Sequence, residues 1–195
     1  RTTLGVAQAP GDRAMSRRAY VATAIVASLS LAVMGVIEVT PRLLWNASAS
    51  VPVGLYALRP IGRLATGDLV AVTPPKPLAW FLATRHYLPL DTPLMKRVMG
   101  LPGQRVCRVG NAVTVDAVPL GHALDSDRHG RPLPVWHGCR RIAEDEVFLM
   151  NPAVPDSLDG RYFGSLPAAT VIGMATPLYT DEAGDGRFVW RAATH

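Results

Sequence analysis

The stretch Leu94 to Val118, LMKRVMGLPGQRVCRVGNAVTVDAV, decides the fold. Three short apolar runs, Leu94 to Met99, Gln104 to Val109 and Ala112 to Val118, are cut by Gly100-Leu101-Pro102-Gly103 and by Gly110-Asn111. Valine-rich runs bounded by Gly and Pro read as strands. The two-residue Gly-Asn break predicts a hairpin with a primed turn.

The same pattern continues on both sides. Upstream, VPVGLYAL (Val51 to Leu58) runs into a turn at Arg59-Pro60-Ile61-Gly62, and Gly67-Asp68 leads into Leu69 to Val72. Thr73 to Pro93, with Pro74, Pro75 and Pro77, reads as a surface excursion holding a short helix around Leu78 to Tyr87. Downstream, Gly121 to Gly138 is a polar loop, and Glu146 to Met150 and Val171 to Ala175 are strands with a loop, Asn151 to Ser165, between them. No helical repeat or dinucleotide pattern interrupts this. The fold class predicted is mainly β, a folded sheet or barrel.

Further out lies Ala19 to Ile37, AYVATAIVASLSLAVMGVI, without a charge and preceded by Arg13, Arg17 and Arg18. As a helix it reaches roughly 28 Å, close to the hydrocarbon thickness of a bilayer. It is therefore expected to be an N-terminal transmembrane helix. The upstream arginines would hold its start in the cytoplasm and place the rest beyond the membrane. A cleaved signal peptide would show a small-residue site, which Val33-Met34-Gly35-Val36-Ile37 lacks. A buried core helix would carry a polar face.

Met15-Ser16-Arg17-Arg18 reads as a start, so residues 1–14 are expected to be a disordered or non-native extension. The divisions expected are 1–14, an anchor at 15–40, a catalytic domain at 41–180 and a tail at 181–195. Glu38 to Ala47 would be a link with Trp45 at the membrane interface.

Composition narrows the function classes. The 195 residues are 49% apolar with a net charge of +5. No run of five basic residues occurs, so nucleic acid is not the partner expected. Cys107 and Cys139 lack CxxC or Cys/His company, so no metal site is expected. In an oxidising compartment they can pair, closing a loop for roughly 3 kcal/mol, or stay as two buried thiols.

Three places carry chemistry. Ser48 and Ser50 alternate in Asn46 to Gly54, so an extended backbone would face them the same way, although Ser-Ala-Ser is also ordinary loop sequence. Lys96 stands in an apolar strand pattern beside Arg97, and neighbours on a strand face opposite sides. If Lys96 is the inward one, burial lowers its pKa and yields a neutral amine able to take a serine proton. Ser157-Leu158-Asp159-Gly160-Arg161 is a polar loop in which Asp159 can pair with Arg161 and Ser157 can orient an amine. The histidines, with His122, His129 and His137 crowded into one loop, come without a G-x-S-x-G elbow.

In combination these motifs resemble the type I signal peptidases, membrane-anchored Ser/Lys proteases, and more finely the TraF-type conjugative transfer peptidases. The resemblance rests on S-x-P-x-G-L-Y (Ser50 to Tyr56), M-K-R-V (Met95 to Val98), G-R-P-L-P (Gly130 to Pro134) and D-G-R-Y-F-G (Asp159 to Gly164). General signal peptidases usually carry Met directly after the nucleophile; here Val51 and Pro52 follow in a shorter spacing.

The resemblance implies a signal-peptidase-like (LexA-like) β domain with Ser50 as nucleophile and Lys96 as general base. Ser48 and the Ser50 N–H would form the oxyanion hole, Ser157 would orient Lys96, and Asp159 with Arg161 would support the site. It implies no cofactor, inner-membrane lipid and a pilin precursor or other preprotein as partners, and components of a conjugation apparatus beside them. Joining of the pilin ends after cleavage is implied for some members. Two other readings remain open at this level: a general signal peptidase of secreted preproteins, and a non-catalytic assembly subunit of the conjugation apparatus.

Overall fold

The computed structural model describes residues 16–36 and 42–192. The extension expected at 1–14 lies outside them, as do residues 37–41, which include the first part of the link expected at Glu38 to Ala47. The chain divides into two compact units, Arg1–Thr40 and Pro41–His195.

In the first unit, α1 (Arg17–Val36) starts under Ser16, whose Oγ accepts from Ala19 N at 3.3 Å. Thr23 and Ser30 donate their hydroxyls to the carbonyls one turn back, so their polar groups are satisfied within the helix. Tyr20, Val21, Ile25, Val26, Leu29 and Leu31 are exposed. Among the described residues no helix is long and apolar enough to cross a membrane, and the side chains of 33–36 lie outside that set. The anchor expected here is thus not shown.

The second unit is mainly β. One antiparallel sheet runs in the order β1 (Leu43–Asn46), β2 (Val53–Arg59), β11 (Val171–Asp181), β3 (Leu69–Val72), β4 (Leu94–Gly100), β9 (Glu146–Met150) and β10 (Leu166–Pro167), with β12 (Val189–Trp190) also on β11. A smaller sheet has the order β7 (Val118–His122), β6 (Ala112–Val115), β5 (Arg105–Val109) and β8 (Gly138–Arg141). Two short α-helices, α2 (Lys76–Thr84) and α3 (Gly160–Phe163), and a 3-10 turn at Ala168–Thr170 lie among these strands.

Period-two alternation builds the core. Leu69 and Ala71 pack with Tyr56, Leu58, Met95 and Ala175 on one face of the large sheet, whereas Val70 and Val72 pack with Val98, Val147 and Leu149 on the other. Burial on both faces is why LVAV carries no polar residue. Phe148 and Met150 of β9 join Val106, Val113, Val115 and Ile142, tying the two sheets together. Gly54 is required where β2 meets β11: its φ is +148°, and a Cβ would stand 2.2 Å from the Tyr179 carbonyl.

The structure differs from the expectations, or adds to them, at four places. Ala112 to Val118 is not one strand, because Asp116 and Ala117 turn with positive φ and begin β7. The Asp116 carboxylate holds that turn by accepting from Arg105 N and Gln104 Nε2, both at 2.8 Å. The link expected through Ala47 contains β1, where Trp45 stacks on Phe188 at 5.9 Å between centroids. The tail expected at 181–195 contributes β12. Gly138 to Arg141 form a strand because β5 lends them a partner, and there Cys107 and Cys139 are opposite and disulfide-bonded.

Candidate active site

Ser48 and Ser50 sit in the turn between β1 and β2, not on an extended chain. Asn46, buried at the end of β1, shapes that turn. Its Nδ2 donates to the carbonyls of Ser48 (2.7 Å), Val51 and Pro52 (both 3.1 Å), and its Oδ1 accepts from Ser48 N and Oγ. Tyr56 on β2 adds a 2.7 Å hydrogen bond from its hydroxyl to Pro52 O. Burial pushes the Tyr56 phenol above its ordinary range, so it stays a donor. The turn brings the Ser48 and Ser50 hydroxyls to 3.1 Å.

Lys96 lies mid-strand in β4, opposite Val70 of β3, and is only 4% exposed. Arg97 points the other way and donates to Gly67 O. Burial depresses the Lys96 pKa to about 8; the Asp159 charge opposes the shift and the Arg161 charge adds to it. Its Nζ donates a 2.8 Å hydrogen bond to Ser157 Oγ, itself buried. Near neutral pH the amine is therefore much easier to deprotonate than a lysine in water.

Asp159 and Arg161 form a fully buried bidentate pair, Nε to Oδ1 at 2.9 Å and Nη2 to Oδ2 at 2.8 Å. Asp159 also caps α3, accepting from Arg161 N, and accepts from Asn151 N. Arg161 turns its remaining N–H groups to the carbonyls of Asn151, Val154 and Pro155. The loop carrying Ser157 is thus built around one ion pair. Arg108 of β5, also buried, supports it from the second sheet by donating to Arg161 O at 2.7 Å.

Ser48, Ser50, Lys96 and Ser157 share a cavity of about 510 Å³ whose apolar walls include Leu82, Leu94, Leu133 and Leu158. A second depression, about 1120 Å³, adjoins it, and Ala49, Ser50 and Val154 line both. The hydrogen-bond partner of the Ser50 hydroxyl is Ser48; among the described residues none joins it to Lys96. Asp159 and Arg161 stand behind the cavity, and the Cys107–Cys139 pair is remote from it on the second sheet. His86 and His129 line the cavity but are exposed. Among the described residues no group of three or more His, Cys, Asp or Glu side chains is placed to hold a metal.

Nothing in the chain singled out Asn46 or Asn151, each an asparagine directly closing an apolar strand run, LLWN and EVFLMN. Nor did the residues around the Gly130 to Pro134 motif assign it a contact. Arg131 pairs with Asp127, which also accepts from the Tyr87 hydroxyl and from His129 N, so this segment forms a tied flap at the cavity rim.

A profile of the family described as signal peptidase, peptidase S26, matches residues 15–179. The chain belongs to that family. It is therefore a signal-peptidase-type member of a serine peptidase family. It is 39% identical over 145 residues to a probable conjugal transfer protein TraF of Sinorhizobium fredii, covering 69% of this chain and 76% of that one. It is 31% identical over 179 residues to a conjugal transfer protein TraF of Agrobacterium fabrum, covering 85% and 98%. These matches make it a TraF-type S26 peptidase. A crystal structure of a signal peptidase I from Enterococcus faecalis aligns with a TM-score of 0.37 at 20% identity, covering 59% of this chain and 98% of that one.

Proposed function

We propose that this S26 peptidase is a membrane-anchored serine endopeptidase that uses Ser50 and Lys96 to process a pilin precursor for conjugative plasmid transfer. The observation that carries the reading is a lysine 4% exposed, held by Ser157, on the cavity that Ser50 lines. A serine hydroxyl is a weak nucleophile until a positioned base takes its proton, and a desolvated lysine can do so without histidine. The conjugal transfer names of the relatives support the biological setting.

In the reaction, Lys96 takes the Ser50 proton as Oγ attacks the scissile carbonyl. The oxyanion is met by the Ser50 N–H and by Ser48, whose hydroxyl turns from Asn46 toward it. Lys96 then protonates the departing amine, leaving an ester on Ser50. Water, activated by the same lysine, releases the acid. An amine of the pilin in place of water would instead close the product into a ring. The uncharged sequence run Ala19 to Ile37 supports an inner-membrane anchor, and the arginines before it support a catalytic unit in the periplasm.

The test is mass spectrometry of a candidate pilin precursor co-expressed in a plasmid-free host with wild type, Ser50→Ala and Lys96→Ala. Processing by wild type alone supports the dyad, and a product one water lighter adds ring closure. Equal processing by all three would remove the dyad.

A further inference from the structure

Asn151 is 3% exposed and stands where β9 ends beside β4. Up to Met150, which faces Arg97, backbone groups join the two strands. Beyond it the Asn151 carboxamide continues the ladder: Oδ1 accepts from Arg97 N at 3.0 Å and Nδ2 donates to Met95 O at 3.2 Å. The two groups it grips flank Lys96 in the chain. The shorter bond of the same Nδ2, 2.7 Å, runs to the carbonyl of Ser50.

One planar group thus fastens the peptide of Ser50 to both neighbours of Lys96, across 101 and 56 residues of sequence. Its own backbone N–H is held by Asp159 at 3.0 Å, so the buried ion pair fixes where the carboxamide stands. Among the described residues, no other side chain bonds both Ser50 and the strand of Lys96.

We propose that Asn151 is a positioning residue that sets the separation of Ser50 from Lys96 while touching neither reacting atom. This rests on the Ser50/Lys96 reading. A misplacement of about 1 Å between reacting groups costs on the order of 100-fold in rate. Asn151 borders the larger depression but is only 3% exposed and spends its carboxamide on backbone groups of Ser50, Met95 and Arg97, so the loss is expected on turnover and not on peptide binding.

The experiment uses the full chain in detergent and an internally quenched peptide cut from the pilin precursor that wild type processes. Wild type, Asn151→Asp, Asn151→Ala and Ser50→Ala are compared for kcat, KM and melting temperature. Ionised aspartate still accepts from Arg97 N but cannot donate to Ser50 or Met95, and protonated aspartate can donate to only one of them, so either form breaks the two-way bridge at nearly the same side-chain size. Both Asn151 variants are expected to turn over roughly 10- to 100-fold more slowly, well below their melting temperatures, with KM within about twofold of wild type. Wild-type turnover in either folded variant, with Ser50→Ala inactive, would overturn the positioning role and leave the dyad intact. So would failure of both variants to fold at any temperature, which would make Asn151 a stability residue. Activity in Ser50→Ala would sink the dyad and, with it, this role.

Discussion

Lys96 Nζ lies 2.8 Å from Ser157 Oγ, and both residues are 4% exposed. A lysine in water would spend its amine on solvent. Here, among the described residues, the one hydrogen-bond partner is a neutral hydroxyl, which orients the amine without adding a negative charge that would hold its proton. The carboxylate whose charge reaches it, Asp159, is occupied by Arg161. Burial therefore dominates and loosens the amine's hold on its proton, as the proposed role of base requires.

The first consequence is a pH profile. With Lys96 titrating at about 8, log kcat/KM should rise by about one per pH unit from pH 5 to about 7.5 and level off above about 8.5. Steady-state kinetics on the internally quenched peptide checks it; a profile flat from about pH 5 to 9 would remove the lysine.

Stability should answer to pH with a definite sign. The folded-state pKa of Lys96 lies below its ordinary 10.5, so the unfolded chain holds more protons between about 8 and 10.5 and this residue's contribution grows as pH rises through that window. Lys96→Met, apolar and similar in length, should be inactive yet more stable than wild type by about 2 kcal/mol at pH 7. That advantage should shrink above pH 8 and vanish above about 10.5. Denaturant unfolding at pH 6, 7, 9 and 10.5 measures it.

Ser157→Ala leaves Lys96 buried without its hydroxyl partner. Turnover should fall by about 100-fold with little change in KM, and the melting temperature should move by no more than a few degrees. Equal losses in kcat and KM would point to a role in binding.

The Asp159–Arg161 pair supports both the loop and the α3 cap. Arg161→Ala leaves a buried carboxylate and the carbonyls of Asn151, Val154 and Pro155 short of partners, and should cost about 3–5 kcal/mol in chemical denaturation. Removing the Cys107–Cys139 bridge by paired serines should cost about 3 kcal/mol while leaving kcat unchanged, since it lies on the second sheet away from the cavity.

Much of the large sheet was legible in the residues. Val51 to Leu58, Leu69 to Val72 and Leu94 to Met99 declare strands because β-branched and apolar side chains alternate between Gly and Pro breaks. Gly110-Asn111 turned as expected, with positive φ at Gly110 alone. What escaped depends on partners distant in sequence. The Asp116-Ala117 turn is stabilised from Gln104 and Arg105, and β8, exposed along its whole length, exists only because β5 offers an edge.

The site divides the same way. Lys96 stands out locally, as a charge in an apolar run, and Asp159 with Arg161 are close enough in sequence to read as a pair. Asn151 joins carbonyls 56 and 101 residues away, so nothing beside it in the chain announces its task.

Acylation of Ser50 with Lys96 as its base is tested most directly by rapid acid quench of the peptide reaction, followed by intact-protein mass spectrometry and mapping of the adduct. Wild type should carry an acyl group on the peptide containing Ser50, and Lys96→Met should carry none at the same times. An acyl group on another residue, or on Ser50 at an undiminished rate in Lys96→Met, would contradict the dyad.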